Sequence, residues 1–148
     1  MLEWLATLGP AGLFIAAFIA ATLLPLGSEV LLAALIVSGE PLLGMVLIAT
    51  VGNVLGSCTN YLLGVWLPVE RLRAISRMSE QELANARERL QRYGKWSLLL
   101  AWLPVIGDPL TLMAGIVRVP WQWFLLLVTT GKGLRYWLVA VAAQPLIL

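Results

Sequence analysis

The chain has 148 residues, of which 60% are hydrophobic and only 12% charged, whereas soluble domains carry about 25% charged residues. Its apolar residues fall in runs too long for a soluble core, which indicates an integral membrane protein. One cysteine excludes an internal disulfide and a cysteine-cluster metal site, the lack of histidine removes the usual proton-relay group, and a net charge of +2 is too small to indicate nucleic-acid binding.

The first apolar run, residues 12–38, contains the stretch Leu24-Pro25-Leu26-Gly27-Ser28-Glu29. As one straight helix the run would span about 40 Å, against a hydrocarbon core of about 30 Å. Two half-helices, 12–24 and 28–38, would instead form a re-entrant hairpin with Pro25 and Gly27 at its tip. Irregular backbone at that depth is tolerated only inside protein or beside a water-filled cavity, so the tip would be a site. The alternative is a proline-kinked spanning helix with a pore-facing Glu29.

Residues 42–66 contain no charged residue and predict a spanning helix. One helix face carries small or polar residues at intervals of four, and we expect it to pack against another helix or hairpin: Gly52, Gly56, Asn60 and Gly64. Asn53 lies in the middle of this helix, where it either contributes to packing or belongs to a polar site.

Residues 67–95 are the hydrophilic segment, with seven basic and four acidic residues and hence a net charge of +3. Because seven of the ten basic residues of the chain lie here, we place this linker in the cytoplasm. Ser79 followed by Glu82 is a capping box that predicts a helix beginning near Glu80. Its apolar stripe predicts an amphipathic helix on the membrane surface: Leu83, Ala86, Leu90 and Tyr93.

Residues 96–117 repeat the pattern of the first hairpin, with Pro104, Gly107 and Asp108 at the tip. In both tips an acid follows the proline by four positions, and the two prolines are 79 residues apart. Residues 121–146 predict a second spanning helix. Paired interrupted segments at corresponding positions of two halves are typical of transporters with inverted repeats and a midplane site.

The sequence therefore predicts a single all-α integral membrane domain, residues 1–148. Two re-entrant helical hairpins, each followed by a transmembrane helix, form an inverted repeat (12–66 and 96–146), joined by the amphipathic linker 67–95. In this topology both termini lie in the periplasm and Arg118 lies inside. If all four apolar segments crossed fully, both termini would lie inside and Arg118 outside. The bias of positive charge favours the first topology.

Four ionisable residues fall inside the predicted membrane segments: Glu29, Asp108, Lys132 and Arg135. Each cation costs about 2.5 to 3.5 kcal/mol on insertion scales and requires a counter-charge. We expect the four to meet near the bilayer midplane, with Asn53 beside them. As a transport site, the carboxylates would bind a coupling ion and the cations would face an anionic headgroup. As a static ion-pair lock, the same charges would only hold the halves together.

Enzyme chemistry is not expected. The chain has a single aspartate, so the pair needed by an intramembrane aspartyl protease is missing, and Ser28 has no histidine to activate it. The sequence contains no phosphate loop, metal-ligand spacing or dinucleotide fingerprint, and we therefore expect no metal site and no cofactor.

Several motifs occur together in the chain: Leu24-Pro25-x-Gly27-Ser28-Glu29-Val30, Gly52-Asn53-x-x-Gly56, Arg92-Tyr93-Gly94, Trp102-x-Pro104-x-x-Gly107-Asp108, Ala114-Gly115 and Gly131-Lys132-x-Leu134-Arg135-Tyr136. With them nearly the whole chain resembles the DedA superfamily, also called the SNARE-associated or VTT-domain family, and most closely its short YqaA branch. The resemblance implies opposing re-entrant hairpins and lipid translocation, with polyprenyl-phosphate or phospholipid flipping in bacteria and scrambling in eukaryotic relatives. It also implies functional membrane acids and arginines.

The chain departs from the main family pattern at the second tip, where typical members have arginines flanking the proline. Here Ala101 and Gly107 stand at those positions, so only Glu29 transfers directly. The leading hypothesis is a lipid transporter of the flippase or scramblase kind in the bacterial inner membrane, moving a phospholipid or a polyprenyl-phosphate. We expect a homodimer, because four membrane elements make a small bundle. A proton- or cation-coupled exporter of small amphiphiles is the second hypothesis, and a non-transporting membrane scaffold is the third.

Overall fold

A computed structural model describes residues 2–22, 27–75, 78–103 and 106–147. In these ranges helices are the only regular secondary structure, and the predicted all-helical fold is confirmed for them. The two tip prolines, Pro25 and Pro104, lie outside the described residues. The α-helices are α1 (Leu2–Thr7), α2 (Pro10–Thr22), α3 (Ser28–Val37), α4 (Leu42–Trp66), α5 (Val69–Ile75), α6 (Glu80–Tyr93), α7 (Gly107–Ile116) and α8 (Trp121–Ala143), and 3₁₀ helices cover Gly94–Trp102 and Gln144–Ile147.

Two of these helices, α4 and α8, are long and apolar enough to cross a membrane. The bounds of α4 are those predicted. Helix α8 ends three residues before the predicted end, and the chain continues there as a 3₁₀ helix. Pro145 explains this end, because proline lacks the N–H of an α-helical hydrogen bond and its ring clashes with the preceding turn. The re-entrant hairpins and the inverted repeat stay predictions.

The chain divides into two compact units, whose boundaries fall inside α4 and α8. The first unit comprises the residues up to Gly56 together with those from Lys132 onward, and the second comprises Ser57–Gly131. In the first unit α2 packs against α1 and α3, and α3 also packs against the C-terminal 3₁₀ helix. Its apolar core is formed by α1, α2, α3, the first half of α4 and the second half of α8.

The small-residue face of α4 packs on protein, which confirms the prediction for it. In the first unit, a Cβ added to Gly52 or Gly56 would lie 2.6 Å from a backbone carbonyl oxygen of α2. In the second unit, a Cβ on Gly64 would lie 2.4 Å from a carbonyl oxygen of α7, and Asn60 donates a hydrogen bond to Thr111 of α7. Each glycine thus allows a close backbone approach that any side chain would prevent.

In the second unit, α6 packs against α7 and against the 3₁₀ helix Gly94–Trp102. Its predicted capping box is present, since the Ser79 hydroxyl accepts from the Glu82 N–H and the Glu82 carboxylate accepts from the Ser79 N–H. The apolar stripe, however, is buried at Leu83, Ala86 and Leu90. Helix α6 is amphipathic, and at these three residues its apolar face packs on its own unit, so they are not available to insert into the bilayer. Its place on the membrane surface stays a prediction.

The segment predicted as the first arm of the second hairpin differs from its counterpart in the first, because Gly94–Trp102 is a 3₁₀ helix whereas α2 is an α-helix. A 3₁₀ helix rises about 2.0 Å per residue against 1.5 Å for an α-helix, so the same number of residues extends further along the helix axis. The arm begins at Gly94, whose φ of 63° ends α6.

The second arms and the helix starts repeat with the offset of 79 residues. Helices α3 and α7 each have ten residues and begin 79 positions apart, as do α4 and α8. Both second arms end in a residue with positive φ, 106° at Gly39 and 57° at Arg118. Corresponding hydrogen bonds close these ends, from the Glu40 N–H to the Leu35 carbonyl and from the Val119 N–H to the Ala114 carbonyl.

Candidate functional site

The first element of the site is an ion pair between α3 and α8 in the first unit. Arg135 donates from its guanidinium to the carboxylate of Glu29. Glu29 lies in the first turn of α3, where the helix dipole favours a negative charge. The two side chains are 23% and 24% exposed, so the pair is accessible from outside the unit.

A neutral hydrogen bond lies directly beside this ion pair in sequence. The hydroxyls of Ser28 and Tyr136 are 2.9 Å apart. Ser28 directly precedes Glu29 in the sequence, and Tyr136 directly follows Arg135. Both side chains are buried. A buried hydroxyl requires a partner, so this bond fixes the register between the start of α3 and α8. The sequence pattern did not single out Tyr136, although it belongs to the motif that contains Lys132 and Arg135.

The third element is a polar relay that connects α8, α4 and α2. Lys132, which is only 2% exposed, donates from its ammonium to the side-chain carbonyl of Asn53 at 2.5 Å. The amide of Asn53 donates in turn to the backbone carbonyl of Ala17 at 2.8 Å. Asn53 is itself buried. A buried ammonium is costly unless it is hydrogen-bonded, and the relay supplies one oriented acceptor.

The first unit therefore holds four of the predicted site residues in two contacting pairs: Glu29 with Arg135, and Asn53 with Lys132. The two cations are three residues apart on α8 and so lie on nearly the same helix face. Gly27 is the N-cap residue of α3, and the start of that helix has no capping hydrogen bond from a side chain. Helix α8 thus carries two cations in different environments, since Lys132 is buried and Arg135 is accessible.

The other two predicted site residues that the structure describes, Asp108 and Gly107, belong to the second unit. Asp108 lies half-buried in the first turn of α7, and its backbone carbonyl accepts from the Thr111 hydroxyl at 2.8 Å. The participation of Asp108 in the charge cluster stays a prediction. Gly107 is buried at the start of α7, where an added Cβ would lie 2.2 Å from the carbonyl oxygen of Ala101. Glycine is therefore required for the tight approach of the two arms.

Chemically, the first unit presents anion-binding groups. A guanidinium forms bidentate hydrogen bonds to carboxylate or phosphate, and an ammonium adds a point charge. Within the described ranges, no group of three or more carboxylate or thiol side chains is placed to hold a metal ion.

Comparison with known families bears on this arrangement. A family model described as the VTT domain matches residues 24–144. The chain belongs to the VTT-domain family. This family, also called DedA, consists of membrane proteins and is not a known enzyme class. The chain is therefore a VTT-domain membrane protein. The resemblance predicted from its motifs is confirmed.

Relatives of this VTT-domain protein span most of its length. It is 47% identical over 133 residues to the inner membrane protein YqaA of Escherichia coli K12, covering 88% of this chain and 87% of the relative. It is 37% identical over 144 residues to an uncharacterized protein of Haemophilus influenzae, covering 92% and 88%. An alkaline phosphatase-like protein of Lactococcus lactis subsp. cremoris is 31% identical over 99 residues, with 46% of that protein covered. No solved structure matches the chain.

Proposed function

We propose that this protein moves a phosphate-bearing lipid, a phospholipid or a polyprenyl-phosphate, across the bacterial inner membrane through a site around Glu29, Lys132 and Arg135. The observation that carries the proposal is the accessible Glu29–Arg135 ion pair, one helical turn from a buried lysine on a helix long enough to span a membrane. Charges at such positions are costly, and they mark substrate or ion pathways in membrane proteins.

Ligand exchange at Arg135 supplies the mechanism. In the structure the guanidinium of Arg135 donates a hydrogen bond to the carboxylate of Glu29. A lipid phosphate offers oxygens of similar geometry and a charge at least as large, so it can replace Glu29 on Arg135. Protonation of Glu29 removes the competing charge, which frees Arg135 for the headgroup and couples lipid binding to protons. Lys132, whose ammonium donates to the side chain of Asn53, adds positive charge that favours the phosphate.

The internal repeat supports a site near a symmetry axis. Lys132 and Asn53 are 79 residues apart, which is the repeat offset, and they are hydrogen-bonded to each other. Residues related by a twofold axis meet only close to that axis. Inverted-repeat transporters bind substrate at the repeat interface near the midplane.

Helix lengths support the re-entrant arrangement. Helices α3 and α7 have ten residues each and α2 has 13, so they extend about 15 to 20 Å, against about 30 Å of hydrocarbon. We therefore propose two re-entrant hairpins in an inverted repeat, with the linker 67–95 in the cytoplasm and both termini in the periplasm. We also propose a homodimer, since the chain provides only a small bundle.

A static scaffold is the second candidate, because the Ser28–Tyr136 bond and the Glu29–Arg135 pair both tie α3 to α8. A lock of this kind would need the charges only for stability. An exporter of small amphiphiles remains the alternative transporter, and it differs from the lipid transporter in its substrate and not in the site.

The test is lipid movement by purified protein in liposomes that contain either a fluorescent phospholipid or a fluorescent polyprenyl-phosphate. Wild-type protein should accelerate exchange between leaflets above empty liposomes, with a rate that depends on pH. Glu29→Gln should remain folded and lose the movement or its pH dependence. Glu3→Gln makes the same chemical change at an exposed site outside the proposed pathway and should behave as wild type.

A static scaffold would not accelerate lipid exchange in the same experiment. If wild-type protein moves neither phospholipid nor polyprenyl-phosphate, lipid transport is wrong. If Glu29→Gln transports as well per folded molecule as wild type at every pH, Glu29 has no part in the mechanism.

A further inference from the structure

A cation in the second unit lies between two tryptophans from different elements. The ammonium of Lys95 is 3.4 Å from the ring centroid of Trp123, in the first turn of α8, and 5.7 Å from that of Trp96, in the 3₁₀ helix. The two indoles meet edge to face, with centroids 6.0 Å apart. Cation–π attraction of this kind orders a lysine that would otherwise sample many rotamers.

The aromatic pair is open to the outside, with Trp96 57% and Trp123 37% exposed. Trp121, the first residue of α8 and two positions before Trp123, is exposed as well. Exposed tryptophans in a membrane protein concentrate at headgroup depth, where an apolar ring meets a polar phase. This surface is therefore suited to the membrane–water boundary.

The segment of the chain that leads into this surface is positively charged. The segment that ends at Lys95 carries a net charge of +3, and the guanidinium of Arg92 lies 5.4 Å from the ring centroid of the exposed Tyr93. Leu83, Ala86 and Leu90 of α6 are buried within the unit, so cations and aromatic rings, and not these apolar side chains, are available to a lipid at this surface.

We propose that Lys95, Trp96 and Trp123 form a binding site for the phosphodiester headgroup of an anionic phospholipid, separate from the Glu29–Arg135 site. An ammonium has three N–H donors, and a ring that covers one side leaves the others for phosphate oxygens. The indoles supply contact for the glycerol and upper acyl region, which inorganic phosphate lacks. A zwitterionic phosphatidylcholine headgroup brings its own cation next to Lys95, so its phosphate gains less attraction from Lys95 than that of an anionic phospholipid.

Thermal unfolding of the full chain in non-ionic detergent tests this site. Phosphatidylglycerol added to the micelles should raise the midpoint of wild-type protein by about 2 to 4 °C more than the same amount of phosphatidylcholine does. Inorganic phosphate at equal concentration should give no rise. Lys95→Gln should lose at least half of the phosphatidylglycerol effect, and Lys95→Arg, which keeps both charge and ring stacking, should retain it.

Arg87→Gln is the matched control, because it removes an exposed charge from the same segment away from the two tryptophans in sequence. It should keep the phosphatidylglycerol effect. Equal losses in Arg87→Gln and Lys95→Gln would mean diffuse charge attraction and would overturn the site. An equal rise with both lipids, or a rise with inorganic phosphate alone, would overturn it too. If Lys95→Gln unfolds without lipid, Trp123→Leu replaces it and should show the same loss.

Discussion

Gly56→Ala is expected to destabilise the protein, because Gly56 lies where the backbones of α4 and α2 approach each other closely. A Cβ at this position would lie 2.6 Å from the carbonyl oxygen of Phe18 and 2.7 Å from the Cβ of Ala21. Neither atom is the end of a flexible chain, so α2 has to shift. Overpacking of this kind costs about 1 to 3 kcal/mol, while alanine gains about 0.5 to 1 kcal/mol over glycine within a helix. The net loss should be about 1 kcal/mol.

Gly133→Ala is the matched control in the same unit. Its Cβ would lie 3.6 Å from the side chain of Thr50, an ordinary contact, so only the helix gain of about 0.5 to 1 kcal/mol remains. Unfolding of both variants by SDS titration in mixed micelles should therefore show opposite signs. If Gly56→Ala is as stable as wild type, or if Gly133→Ala is equally destabilised, the close packing of α4 on α2 is wrong.

Three further predictions follow from the same contacts. Tyr136→Phe should lower stability by about 1 to 2 kcal/mol because it leaves the buried Ser28 hydroxyl without that partner, and adding Ser28→Ala should cost less than the two single changes together, as SDS titration will show. Gly39→Ala should destabilise by about 1 kcal/mol and Arg118→Gly should stabilise by a similar amount, because both positions have positive φ; equal effects of both changes in the same titration would contradict this reasoning. A reporter that is active only outside the cytoplasm should give signal when fused to the C-terminus, and signal only from a cytoplasmic reporter would support four full crossings instead.

The parts of the fold that follow from short-range chemistry were predictable. Twenty-five uncharged residues fix α4 at 42–66, and the Ser79–Glu82 capping box fixes the start of α6. The offset of 79 residues was visible in the sequence and recurs in the helix starts. The cost of unpaired charge in the membrane predicted that Glu29 would lie close to Lys132 or Arg135. It did not decide which of the two cations, and the structure pairs Glu29 with Arg135.

The parts that depend on tertiary contacts were not predictable. The stripe of Leu83, Ala86 and Leu90 has the same period whether it faces lipid or protein, and only the packing of α6 on α7 decides between them. Tyr136 was not singled out as a site residue, although it stands in a motif, because a tyrosine in an apolar helix is common and its partner lies 108 residues away. The bond between Asn53 and Lys132 had one available signal, their separation by the repeat offset, but equivalent positions touch only if they lie near the axis.

Exchange of the two charges tests most directly whether Glu29 and Arg135 form a transport site. In the double variant Glu29→Arg with Arg135→Glu the ion pair can form again with reversed direction, so unfolding by SDS titration should recover much of the stability lost in either single variant. Lipid movement in liposomes should not recover, because a carboxylate on α8 repels the phosphate that Arg135 attracts. If the double variant moves lipid at the wild-type rate per folded molecule, the pair is a structural lock and the proposed site is wrong.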